Sequence, residues 1–188
     1  MVLKTDLFDD VIRLRPLLKS DARELTLAVQ KSVPELLPWM SWCHEGYNEQ
    51  DALQWLKTLP SGWAKGTDYG FAITDIADGQ IVGGCGVSFV NQLFRFGNVG
   101  YWVRSDRHGE GIASRAAILA SRFAFEKVGL VRAEIVVAVG NTASLRVAEK
   151  VGAKREGVLR NRLVVRDMIY DAVMYSLTPG DFYMEVQL

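Results

Sequence analysis

The chain has 188 residues, 49% apolar and 23% charged, with 22 basic side chains against 22 acidic ones. This length supports a single domain over residues 1–188 with a sizeable core, and zero net charge argues against a general nucleic-acid binder. No apolar run approaches the ~20 residues that cross a bilayer, and the opening MVLKTDLFDD lacks the apolar core of a signal peptide. Cys43 and Cys85 form neither a metal-ligand nor a disulfide spacing. The expectation is a cytoplasmic protein with no membrane partner and no metal.

In chain order, Val11 to Leu17 alternates, with Arg13 and Arg15 against Ile12 and Leu14, and reads as a short strand ended by Pro16. Ser20 reads as the N-cap of a helix over 21–32. Pro34 and Pro38 then break the pattern, and the segment from Val33 to Tyr47 gathers Trp39, Met40, Trp42 and His44 without periodicity. It is either a loop whose aromatics plug the core or the wall of a substrate pocket. Asn48 caps a second helix, with Ala52, Trp55, Leu56 and Leu59 on one face and a stop at Pro60. A loop over 62–68 follows.

Tyr69, Phe71 and Ile73 start a strand, and Asp78-Gly79 turns it into a second over 80–90. Gly83, Gly84 and Gly86 there point to a bulge or a close backbone approach. A third strand over 94–104 completes an antiparallel meander. Ile112, Ala116, Leu119 and Phe123 line a helix ended by Gly129, and 131–139 reads as a strand buried on both faces. A short helix from Asn141 to Val151 and two strands, 158–165 and 168–177, complete a core of about residues 11–177. The tail, 178–188, shows no pattern. Helices packed on a central run of strands give an α/β (α+β type) fold.

The stretch with chemistry is the glycine-bearing turn from Arg104 to Gly111, set between a strand end and a helix. Main-chain N–H groups and the helix dipole make such a turn an anion site. A triphosphate loop needs Gly-Lys-Ser/Thr, whereas Gly111 is followed by Ile112 and Ala113. A dinucleotide fingerprint needs a third glycine where Ser114 stands, and an opening parallel strand where a meander precedes.

His108-Gly109-Glu110-Gly111-Ile112-Ala113 resembles the acetyl-CoA loop, Q/R-x-x-G-x-G/A, of the GCN5-related N-acetyltransferases (GNAT). It departs at His108, where Gln or Arg is usual. Gly100-Tyr101-Trp102-Val103, Val139 to Ser144, Ala148 to Ala153 and the Leu37-Pro38-Trp39 element resemble the RimJ/RimL-like branch, which acetylates ribosomal-protein N-termini. The resemblance implies the GNAT fold: a mixed, mostly antiparallel sheet of six to seven strands, splayed between its fourth and fifth, with about four helices around it.

It also implies acetyl-CoA as donor, an acceptor amine as partner, and direct attack in a ternary complex. The cofactor would be held by Trp102, Val103, Arg104, His108, Gly109, Glu110, Gly111, Ile112, Ala113 and Ser114, together with Asn141 and Ser144. Arg104, Arg107 and Arg115 are either phosphate partners or solvated charges, and Glu110 points outwards. Ser144, Asn141 and Tyr101 are the catalytic candidates, with Ser144 the donor to the departing sulfur; by residue type alone, Asn141 and Ser144 are also an ordinary helix N-cap and its third position. Trp39, Trp42 and Tyr170 are the acceptor-site candidates.

Relatives carry a Glu where Asn98 stands, which leaves Glu156, Asp75, His44, Tyr101 and Tyr170 as bases with no order among them. An α-amine, with a pKa of about 7.7–8.0, is neutral in roughly a tenth to a fifth of molecules at neutral pH, whereas a lysine amine is neutral in fewer than ~1 in 1,000. A site without an evident base therefore suits a peptide N-terminus. The alternatives are a small amine (amino acid, polyamine or aminoglycoside) and a non-catalytic acyl-CoA-binding module. Relatives are often homodimers.

Overall fold

The computed structural model describes residues 7–183. They form one sheet of eight strands: β1 Leu7–Phe8, β2 Ile12–Pro16, β3 Tyr69–Asp75, β4 Ile81–Asn91, β5 Phe96–Val103, β6 Arg132–Ala138, β7 Lys154–Val165 and β8 Met168–Leu177. Their spatial order is β1-β2-β3-β4-β5-β6-β8-β7. Neighbours pair antiparallel except β5 and β6, which run parallel. The eighth strand is the two-residue β1, too short to carry an alternation that sequence could reveal.

Seven helical segments flank the sheet: α1 Ala22–Gln30, α2 Val33–Leu36, α3 Glu49–Leu56, α4 Leu59–Lys65, α5 Ile112–Phe123, α6 Thr142–Lys150 and α7 Pro179–Tyr183. Four of them reach eight residues, α1, α3, α5 and α6. On one face of the sheet α5 buries Ile112, Ala116, Leu119 and Phe123, the stripe read from spacing. The Phe123 ring meets Trp63, Tyr69 and Phe71 with centroids 5.8, 5.1 and 5.1 Å away. On the other face Leu25 and Val29 of α1 pack with Ala52 and Leu56 of α3 over Ala72 and Ile81.

Several local readings change. The N-cap position of the first helix is Asp21 rather than Ser20, and its carboxylate turns back from the helix: it accepts from Leu18 N at 2.7 Å and takes a bidentate pair from Arg15. Pro60 does not end the helical region; it lies in the first turn of α4, where a missing N–H costs nothing, so most of the expected loop over 62–68 is helical. Pro34 opens α2 in the same way. Leu59 thus belongs to α4, and Trp55 is 41% exposed rather than core.

β6 is not buried on both faces: Ala133, Ile135 and Val137 are buried, while Arg132 and Glu134 point the other way into ion pairs. Arg166 and Asp167 join β7 to β8 with φ of 46° and 65°, the type I′ geometry of a two-residue hairpin. The tail contains α7, whose Phe182 ring sits 5.9 Å from that of Phe125; residues 184–188 and 1–6 lie outside the described residues.

Two features position the site. Gly83 and Gly84 show both readings: the β3–β4 register shifts between Ile73–Gly83 and Thr74–Ile81, and an added Cβ would run into Trp102 O at Gly83 and sit 2.7 Å from Trp102 Nε1 at Gly84. And β5 and β6 are paired only from Phe96–Arg132 to Asn98–Glu134. Beyond Asn98, β5 keeps its β4 partner as far as Val103, but its other edge is bare. The sheet splits there, as the resemblance implied.

Candidate active site

The turn after β5 is built to leave main-chain donors free. Arg104 N donates to Val82 O at 2.8 Å, which holds the chain against β4 until the turn starts. Ser105 N donates to Ser32 Oγ at 2.9 Å and Ser105 Oγ to Glu35 at 2.7 Å, anchoring the turn to the α1–α2 segment. Gly109 and Gly111 then take φ of 85° and 78°, a region that side-chain-bearing residues avoid. Among the described residues, none of the N–H groups from 109 to 114 donates to a protein acceptor. These six successive donors open α5, whose dipole adds roughly half a positive charge.

The loop's side chains brace it. Arg107 pairs with Glu110 at 2.7 Å and with Asp75 at 2.8 Å, tying the turn to the β3–β4 hairpin; these carboxylates hold the guanidinium's pKa above its usual value. Glu110 is thereby turned away from the amides. His108 Nε2 lies 3.0 Å from Val103 O, so its ring folds back onto the strand. Ile112 and Ser114 are buried, which leaves the main chain as what they can offer a ligand. Arg104 is engaged by Asp106, and Arg115 by Asp9 at 2.8 Å and Asp10 at 2.6 Å. A cation that spacing did not single out, Lys150 at the end of α6, brings Nζ to 3.6 Å from where a Gly111 Cβ would be. Its contact crosses 39 positions of chain, so only the fold reveals it.

Across the split, Asn141 caps α6 by accepting from Ser144 N at 3.1 Å. Tyr101 of β5 donates to Ser144 O at 3.2 Å and lies 3.1 Å from Ser144 Oγ. Burial pushes the Tyr101 phenol up to about 12, with the Ser144 hydrogen bond opposing. Trp39 stands over the end of β6, 3.7 Å from a Cβ on Gly140, and meets the Tyr170 ring of β8 at 6.1 Å. Trp42 meets Trp102 at 6.0 Å and Tyr47 at 5.9 Å. The fold thus pairs Trp39 with Tyr170 and Trp42 with Trp102, and the segment over 33–47 is divided: Leu36, Cys43 and Tyr47 are buried in the core, while Trp39 and Trp42 are not.

Beside Trp42 is a cavity of about 1040 Å³ between α1, α3, α4 and strands β4 and β5, lined by Met40, Trp42, Tyr47, Gly84, Gly100 and Trp102 among others. His44 also lines it, with Nε2 3.3 Å from Asp51. The remaining base candidates are engaged elsewhere. Arg132 and Ser176 hold the Glu156 carboxyl down to about 2. Asp75 is occupied by Arg107. Asn98 Oδ1, at the crotch of the split, is a buried acceptor with no partner among the described residues.

Residues 12–154 match the family described as acetyltransferase (GNAT) domain. The "Putative ribosomal N-acetyltransferase YdaF" of Bacillus subtilis (strain 168) is 30% identical over 172 residues, covering 88% of this chain and 90% of that one. The structure of Mycobacterium smegmatis RimJ in complex with a CoA-disulfide is 27% identical and superposes with a TM-score of 0.82, covering 92% of this chain and 84% of that one. The ribosomal-protein-S5-alanine acetyltransferase of Vibrio fischeri shares the fold at a TM-score of 0.84 and 22% identity, over 95% of this chain and 99% of that one.

Proposed function

The chain belongs to the acetyltransferase (GNAT) domain family, and from that premise we propose that it transfers the acetyl group of acetyl-CoA to the α-amine of a protein N-terminus. The observation that carries this reading is the run of six free amides from 109 to 114 ahead of α5, beside the bare edge of β5. A pyrophosphate fits such a cradle: it is anionic, it needs donors rather than bulk, and Gly111 takes a φ of 78° that a side chain would strain. When bound, acetyl-CoA supplies an activated acyl group.

In this reading Gly109 to Ser114 hold the phosphates through the main chain, and Lys150 adds a cation. Trp102 and Val103 offer main-chain groups along the open edge. Ser144 and Tyr101 hold protons at the split and hand one to the departing sulfur. Trp39, Trp42 and Tyr170 orient the acceptor. With Glu156 and Asp75 committed to arginines, an amine that is already partly neutral at physiological pH suits the site. The name of the B. subtilis relative supports a ribosomal-protein acceptor and hence a cytoplasmic setting. Among the described residues no helix is long and apolar enough to cross a membrane. The single continuous sheet supports treating the chain as one catalytic domain. Exposed Val164, Met168 and Ile169 on the β7–β8 hairpin are where a second copy would dock in a homodimer.

The test is acetylation of free-N-terminus peptides, the same peptides blocked at the N-terminus but carrying lysine, and a panel of small amines, read by mass spectrometry. Product on the α-amine alone is expected. Product only on lysine or only on small amines overturns the acceptor. Tight acetyl-CoA binding without turnover on any acceptor makes the chain a binding module.

A further inference from the structure

We propose that the cavity over β4 and β5 receives the side chain of the acceptor's first residue, and that a bulky apolar first residue is preferred; this rests on the N-terminal reading above. The cavity's volume, about 1040 Å³, lies at the upper end of small-molecule sites. A two-carbon acyl group uses little of that space. The floor includes Gly100 and Trp102, on the part of β5 past its last pairing with β6, so the cavity abuts the split.

Its walls are apolar and aromatic: Val29 from α1, Leu59 from α4, and Met40, Trp42 and Tyr47 from the segment between α2 and α3. Charged groups, His44, Asp51, Lys65 and Asp68, come from the ends of elements and the connecting segments. An ionised first side chain laid against Trp42 and Trp102, whose rings meet at 6.0 Å, would lose hydration with no counter-charge on either ring. An aliphatic or aromatic one gains by leaving water. Among the described residues the indole N–H groups of Trp42 and Trp102 have no protein acceptor, which leaves two donors for the acceptor's own main chain.

The depth of the floor depends on glycines. At Gly84 and Gly86 an added Cβ would collide, 2.7 Å from Trp102 Nε1 and 2.7 Å from Tyr69 O. At Gly100 it would meet nothing nearer than Asn98 Nδ2 at 3.7 Å, and this glycine is not among those with positive φ. A side chain introduced at Gly100 therefore enters the cavity from below without straining the backbone, which makes Gly100→Leu a filling variant.

The test compares kcat/KM for peptides identical except for the first residue, Leu, Phe and Met against Gly, Ala, Ser and Asp. The wild type is expected to favour the bulky apolar set by about 10- to 100-fold. Gly100→Leu is expected to erase that ratio with acetyl-CoA affinity within about twofold of wild type. Trp42→Ala, at a side chain 42% exposed, lowers the same ratio and tests the wall should the first variant fold poorly. Equal kcat/KM for Ser and Leu peptides in the wild type overturns the cavity assignment and leaves the N-terminal reading intact. Failure of every peptide overturns both. A higher rate with butanoyl- or hexanoyl-CoA than with acetyl-CoA, on a Ser peptide, assigns the cavity to the donor and also overturns the proposal.

Discussion

Tyr101 and Ser144 exchange hydrogen bonds across the split: the phenol donates to Ser144 O at 3.2 Å, and Ser144 Oγ lies 3.1 Å from the phenol oxygen. With the single phenolic proton on the carbonyl, the second contact is made by the serine hydroxyl donating. Both protons are thus held within the pair, and burial keeps the phenol protonated up to about 12. A pair in this state does not take protons from an amine. It is suited to giving one to a thiolate.

If the two hydroxyls work as one device, removing either removes most of its effect. Ser144→Ala and Tyr101→Phe are each expected to lower kcat by roughly 100-fold, the low end of general-acid contributions. The double variant is expected to be no worse than the poorer single one, because coupled residues are non-additive. Steady-state kinetics on all three, with acetyl-CoA affinity measured separately, decides this. Activity equal to wild type in the single variants returns Ser144 to its place in the α6 cap.

Anion binding by main-chain amides is sensitive to charge at the loop and insensitive to cations engaged elsewhere. Gly111→Asp is expected to abolish acetyl-CoA binding, since it brings a carboxylate and a disfavoured φ into the cradle. Lys150→Ala is expected to weaken binding about tenfold, the order of a charge-assisted contact. Arg115→Ala, whose guanidinium is held by Asp9 and Asp10, should leave it unchanged. Isothermal titration on the three variants is the measurement; unchanged affinity in Gly111→Asp would falsify the loop assignment.

Glu156 predicts an acid limb of stability. Its carboxyl is lowered to about 2 in the folded protein by Arg132 first and Ser176 second, from a usual value of 4.5. A depressed acid stabilises the fold above its unfolded pKa and ceases to do so as pH falls through the folded one. Stability should therefore decline between about pH 4.5 and pH 2. Glu156→Gln should flatten part of that decline, with melting temperature followed across the range. Since the side chain is 41% exposed, the effect is expected to be modest and reduced by salt.

Core stability depends on the aromatic cluster under α5. Phe123 is fully buried against Trp63, Tyr69 and Phe71. Phe123→Ala is expected to cost about 3–5 kcal/mol. At roughly 2–4 °C per kcal/mol for a chain of this size, the melting temperature should fall by about 6–20 °C. A shift within a degree of wild type contradicts the packing described for this face.

Patterns with a local cause were legible in the sequence. The α5 stripe, the Asn48 and Asn141 caps, the Arg166-Asp167 turn and the glycine turn at 109–111 each follow from neighbours a few residues apart. Proline was ambiguous: at Pro60 and Pro34 the same ring that ends a helix also opens one, and only the following packing decides which. Side-chain commitments were not legible, since Arg107 finds Asp75 and Lys150 finds Gly111 through the fold. The aromatics over 33–47 read as either core plug or pocket wall, and nothing in their spacing showed that Trp102, from β5, lines the same cavity as Trp42. The base did not emerge from spacing, and Glu156 and Asp75, which spacing left open, are engaged by arginines.

The three rungs that join β5 to β6 make the sheet two antiparallel halves sewn along a short seam. Within them β3, β4 and β5 pair with their neighbours in sequence, as do β7 and β8, so these parts can form by closing short hairpins. The seam cannot: its two strands are parallel and separated by the whole of α5 and the turn beyond it. Contacts that close long loops form late and slowly. The binding cradle sits at the head of the helix that makes this crossover; its turn is braced on β3 and β4, while its cation, Lys150, comes from beyond the seam and joins only when the halves have met. A chain whose halves have not met therefore holds its donor without that cation, and full affinity for acetyl-CoA reports that the seam has closed.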